Sequence, residues 1–120
     1  MFKQNSKYKD YNGEEREETF YFNLSRAELI DLEYSTPGGL KDLLERIIKE
    51  KDTVKIYQMF KDIVMRSYGE KSDDGKHFVK SKELSTAFTQ TEAFSELMMM
   101  FIMDAEFAAK FVSGIVPENV

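Results

Sequence analysis

The sequence predicts a mainly α fold, a helical domain of about five to six helices entered through an N-terminal β-hairpin. Three observations carry this reading. Asn12-Gly13 lies between two short runs of strand-forming residues, apolar side chains then recur at three- and four-residue spacing, and capping residues stand ahead of these sets. The chain has 120 residues and no internal repeat or low-complexity tract, so one domain is expected. Its parts are a hairpin over 1–24, a first helical half over 25–69, a loop over 70–80 and apolar C-terminal helices over 81–117.

The hairpin pairs 7–11 with 16–22, because Asn and Gly both tolerate the positive φ of a primed turn. A two-residue loop sets Asp10 opposite Glu15, a like-charge pair, whereas a three-residue loop sets Asp10 against Arg16. Phe20 and Phe22 share one strand face and need a surface to pack on, since an isolated hairpin is marginal in water. The first helix opens at Ser25, which forms a capping box with Glu28 and is followed by Ala27, Leu29, Ile30 and Leu32. Thr36-Pro37-Gly38-Gly39 breaks it, with Thr36 and Pro37 suited to the cap and first turn of the next helix.

Leu40, Leu43, Leu44, Ile47 and Ile48 fit one face of that next helix, and Lys41, Asp42, Glu45, Arg46, Lys49 and Glu50 fill the other. Asp52 caps a third helix through Tyr68, with Ile56, Tyr57, Phe60, Ile63 and Val64 inward and Gly69 as terminator. These two helices are expected to pair antiparallel. The polar stretch 70–80, with its Asp74-Gly75 turn signal, reads as a long loop or a small hairpin. Ser81 then opens a short helix containing Leu84, Ala87 and Phe88. Thr89 and Glu92 form a second capping box, and Asp104 caps a last helix that runs toward Gly114 and Pro117.

Composition narrows the functional classes. A net charge of −5 argues against affinity built on neutralising phosphates, so neither nucleic acid nor an anionic membrane surface is an expected partner. The polar N-terminus lacks the apolar core of a secretory signal and Cys is absent, which together point to the cytoplasm. Without a thiol, and with His77 as the only histidine, neither a cysteine nucleophile nor a His-rich zinc site is expected. Ser72-Asp73-Asp74-Gly75 lacks the alternating oxygens and terminal Glu of a calcium loop. Glu14, Glu15, Glu17 and Glu18 read as a solvated strand face. No catalytic residue, cofactor site or metal site is expected.

The stretch 94–116 is too apolar around its circumference for a helix that covers a core with one face. Ala93, Phe94, Leu97, Met98, Phe101 and Ile102 fall on one stripe, which leaves Met99, Met100 and Met103 on other faces. Methionine is unbranched and polarizable, so it repacks against irregular apolar partners and recurs on surfaces that bind varied segments. On pattern alone a bundle core or a subunit interface is the favoured account of the same residues, because a Met stripe at helical spacing is usually internal.

The segment 67–117 is similar to the C-terminal half of the tail assembly chaperones encoded by long-tailed bacteriophages and prophages of Gram-positive bacteria. The resemblance is carried by Ser67-Tyr68-Gly69, the Asp74-Gly75 loop, Phe78 with Lys80-Ser81, the run Phe88-Thr89-Gln90-Thr91-Glu92-Ala93, and the segment 111–117; residues 8–29 resemble such proteins too. Methionine is denser over 97–103 than the family pattern. The resemblance implies a non-enzymatic chaperone that coats the long helical tape measure protein and keeps it soluble until tail tube subunits polymerise around it. It also implies residence in the bacterial host cytoplasm and absence from the mature virion. Members of this family are often made in a longer, frameshifted form as well; an end at Pro117-Glu118-Asn119-Val120 fits the short form.

The partner expected first is therefore the tape measure protein, with the tail tube protein and further copies of this chain as secondary candidates. The expected protein-binding residues are Met99, Met100, Met103, Phe107 and Phe111. The competing expectation is a structural tail or adaptor protein that uses its apolar C-terminal helices as a permanent oligomer interface.

Overall fold

Alternation along the first strand places a β-hairpin ahead of the first helix in the chain. The computed structural model describes residues 1–35 and 37–117; of α2 below, the side chains of Leu40, Lys41, Leu43 and Leu44 are outside that description. The elements run β1 (Phe2–Lys9), β2 (Glu15–Phe22), α1 (Arg26–Ser35), α2 (Gly39–Lys49), α3 (Thr53–Ser67), β3 (Tyr68–Lys71), β4 (Phe78–Val79), α4 (Lys82–Thr89), α5 (Glu92–Met103) and α6 (Ala105–Ile115). The expected cap at Thr36, the core stripe at Leu40, Leu43 and Leu44, and the end at 118–120 fall outside the described residues.

β1 starts five residues earlier than its sequence signal, because Phe2, Gln4, Ser6 and Tyr8 alternate inward with Lys3, Asn5, Lys7 and Lys9 outward. Lys9 pairs with Glu15 and Tyr8 with Arg16, so neither expected register is adopted. The loop is Tyr11-Asn12-Gly13: the Gly13 N–H donates to the Asp10 carbonyl at 2.9 Å, and Gly13 takes φ 79°. Such a turn-plus-bulge needs a residue at ease with positive φ. It closes around the Asp10 carboxylate, which accepts from the Asn12 and Glu14 N–H groups and from Arg16 Nε at 2.6 Å. The Arg16 bond, then the Glu14 N–H, hold the Asp10 carboxyl below its usual range.

The sheet does not stop at the hairpin. α3 ends at Ser67, and the chain continues directly into β3, where Tyr21 and Phe22 of β2 pair with Gly69 and Tyr68. β3 then pairs with β4 through Glu70–Val79 and Lys71–Phe78, so the polar stretch is a small hairpin closed by Gly75 at φ 75°. The result is a four-stranded antiparallel sheet in the order β1-β2-β3-β4. Six helices are present among the described residues, but the architecture is mixed α and β rather than a helical domain with an appended hairpin. Gly69 is what admits this join, since a Cβ there would stand 2.7 Å from the Val79 carbonyl oxygen.

The helix starts follow their caps. The Ser25 N–H donates to Glu28 Oε1 at 2.9 Å, and the Glu28 N–H to Ser25 Oγ at 3.1 Å, completing the capping box. Asp52 accepts from Val54 and Lys55, Ser81 from Leu84, and Asp104 from Phe107. α5 differs: its cap is Thr91, which accepts from Phe94, while Thr89 is the last residue of α4 and bonds back to the Thr86 carbonyl. Pro37 precedes α2, which begins at Gly39.

The core lies between the inner sheet face and α3 to α6, and it is largely aromatic. Phe20 and Phe22 meet Phe88, Tyr68 stacks on Phe88 at 4.5 Å, and Phe60 stacks on Phe101 at 4.3 Å. α3 packs chiefly on α5, whereas α2 lies against α1 and α6, so the expected close pairing of α2 with α3 is replaced by these contacts. Correspondingly Ile47 is buried, while Ile48 and Tyr57, both expected inward, are exposed, as is Ile30.

One side chain ties the helical half to the sheet. Lys80 Nζ donates to the Asn23 and Arg66 carbonyls at 2.5 and 3.0 Å and to both oxygens of Glu28 at 2.8 and 2.7 Å. Burial pushes the Glu28 carboxyl up, but bonds from Lys80 and the Ser25 N–H outweigh it and hold it below its ordinary 4.5. Lys80→Met should therefore lower stability by about 1–2 kcal/mol at neutral pH, a figure discounted because Glu28 is partly open to water. A depressed carboxyl stabilises the fold above its ordinary value and stops doing so as pH falls through the lowered one. Urea titrations of both proteins should thus show a gap that narrows in acid below the ordinary Glu28 range; a gap that stays constant into acid contradicts the role of the Glu28 charge.

Candidate surface on the fifth helix

α5 is the element whose residue pattern exceeds what a core requires. Its inner stripe of Ala93, Phe94, Leu97, Met98 and Phe101 is buried, with Ile102 half-buried beside it. At 100° per residue the opposite line holds Glu92, Glu96, Met99 and Met103, with Met100 at its border. Met103 is 77 % exposed, Met99 52 % and Met100 38 %. Three thioether side chains thus stand in solvent on one rigid helix whose other face is locked into the core. They form a ridge, and isolated exposed apolar residues need no explanation where three in one place do.

The expected binding residues separate into two groups. Met99, Met100 and Met103 are brought together on this outer face. Phe107, at the start of α6, is half-buried between Phe101 at 5.4 Å and Phe2 at 5.9 Å, at the margin of the ridge. Phe111 is corrected: it is 0 % exposed and rings Phe2, Phe22, Phe60 and Phe101 surround it, so no partner reaches it in this fold. It belongs to the inner stripe Ala108, Phe111, Val112 and Ile115, whose spacing was available in the sequence.

Glu92, expected only as a capping-box partner, and Glu96 align with the methionines. Their spacing of four, then three and four, to Met99 and Met103 was the signal. The Tyr11 hydroxyl lies against Glu92, and Glu96 borders a cavity edged by Lys7, Lys9 and Arg16 of the hairpin.

Other regions offer less. A cavity of about 450 Å³ between α1, α3 and α4 is bordered by Leu24, Leu32 and Met65, but its main charged groups are already bonded, Glu28 to Lys80 and Arg66 to Asp62. His77 is exposed on the β3–β4 turn, where its backbone N–H donates to Ser72 Oγ at 3.0 Å. Among the described residues no three His, Asp or Glu side chains cluster so as to hold a metal ion, and no helix is long and apolar enough to cross a membrane.

Comparison with known proteins gives one assignment. No curated protein and no solved structure matches the chain. A family model described as phage tail assembly chaperone matches residues 1–120, the whole sequence. An apolar ridge on a folded domain suits a protein-binding assembly factor, and the chain belongs to the phage tail assembly chaperone family.

Proposed function

We propose that this protein binds and solubilises the tape measure protein during tail morphogenesis, in the host cytoplasm, and leaves before the virion is complete. The observation that carries the proposal is the row of exposed methionines on α5, backed by a filled core. A long helical client exposes apolar stripes that aggregate when uncovered, and side chains that repack without a fixed partner geometry can cover many such stripes in turn. The contact residues are Met99, Met100 and Met103, with Phe107 at the edge. The family to which the chain belongs is a chaperone family, a non-catalytic kind of protein, and tail assembly makes its partners proteins. The net charge of −5 keeps a multiply coated client dispersed.

Co-expression tests this reading. Tape measure protein made with this chain is expected in the soluble fraction and in complex with it, and made alone is expected in the pellet. Purified virions should lack the chain. Its presence there in fixed copy number would instead identify a structural tail or adaptor protein with a permanent interface.

A further inference from the structure

We propose that the α5 face selects client helices in which Lys or Arg flanks the apolar stripe, the cations lying over Glu92 and Glu96 and the stripe over Met99, Met100 and Met103. The inference rests on the tape measure reading above and adds the chemistry of the bound segment. It comes from the division of one helical line into two halves. Glu92 and Glu96 occupy the N-terminal half of the outer line of α5, and Met99 and Met103 the C-terminal half. A helix laid along that line meets carboxylates at one end and thioethers at the other, over about 16 Å or three turns.

The charge that α5 and the start of α6 themselves contribute is one-sided. From Glu92 to Ala109 the chain carries four carboxylates, Glu92, Glu96, Asp104 and Glu106, and no Lys or Arg; Lys110 is the first cation. The ion pairs of the described residues use Asp10, Glu17, Glu18, Glu28 and Asp62, and none uses Glu92 or Glu96. Of the three hairpin cations edging the cavity beside Glu96, Lys7 pairs with Glu17 at 3.9 Å and Arg16 with Asp10 and Glu18, while Lys9 borders the same cavity without either contact. The Tyr11 hydroxyl lies against Glu92 and brings no positive charge to it. A basic border on the client complements these carboxylates, and an acidic border is repelled by them.

Two fluorescent amphipathic peptides of about 20 residues, sharing one Leu/Ala stripe and flanked by Lys in one and by Glu in the other, test the proposal by anisotropy against the full chain. The Lys peptide should bind at least about tenfold more tightly at low salt. That advantage should shrink as salt screens it, and it should invert in the Glu92→Lys, Glu96→Lys variant, whose fold is checked by circular dichroism. Equal binding of the two peptides, with both lost in Met99→Glu, Met103→Glu, overturns the charge selection while leaving the methionine contact standing. A chain that excludes both peptides because copies of itself occupy the face also overturns it. If the wild-type chain retains no tape measure protein in co-expression, the reading beneath falls separately.

Discussion

Phe111→Ala is expected to destabilise the fold by about 3–5 kcal/mol, the range for truncating a fully buried aromatic. Phe111 is where the three layers of the core meet. Its ring contacts Phe2 and Phe22 from the sheet, Phe60 from α3 and Phe101 from α5, at centroid distances of 5.1, 5.3, 6.5 and 4.7 Å. Removing it leaves a cavity walled by rigid rings that cannot collapse without losing one another, so relaxation recovers little. Equilibrium urea unfolding should show a lower midpoint with a similar slope. A change below about 1 kcal/mol would mean that Phe111 is not at the centre of the core and would return it to the candidate surface.

Met99→Glu with Met103→Glu is expected to do the reverse, leaving stability within about 0.5 kcal/mol per site and removing client binding by at least a hundredfold, roughly 2.7 kcal/mol. Both side chains are more than half exposed, so a carboxylate at either position stays hydrated in the free protein. Against a client stripe it must be desolvated beside apolar groups with no compensating bond. It also extends the negative row begun by Glu92 and Glu96. The readout is co-purification with tape measure protein, alongside a thermal melt to show that the fold is retained. Wild-type recovery of the client by this variant would remove the α5 ridge from the mechanism.

These two substitutions also mark where the sequence was legible. α5 could be read almost residue by residue, because a helix packed on one side reports its inner face as a stripe and leaves its surplus apolar residues visible. Phe111 lies outside the stripe that defines the inner face of α5, but Ala108, Val112 and Ile115 place it on the inner face of α6, a separate helix with its own stripe. The caps at Ser25, Asp52, Ser81 and Asp104 were legible because they are local chemistry, one side-chain oxygen against backbone N–H groups within three residues.

What sequence patterns concealed is non-local. The β2–β3 pairing joins residues nearly fifty positions apart, and β4 is two residues long, too short to show an alternation. The hairpin register was set by the Asp10 carboxylate gathering two N–H groups and Arg16, a side-chain choice that charge pairing across strands does not foresee. Ile30, Ile48 and Tyr57 fit helical stripes yet lie outside, because stripe membership fixes a side of the helix and not how far its neighbours extend over that side.

The most direct test of the central claim uses the methionines themselves. Labelling their methyl groups with carbon-13 and adding tape measure protein should shift or broaden the signals of Met99, Met100 and Met103, while buried Met98, one residue away on the core face, stays nearly unchanged. Perturbation confined to Met1, Met59 or Met65, with the three α5 signals unmoved at saturation, would contradict the account.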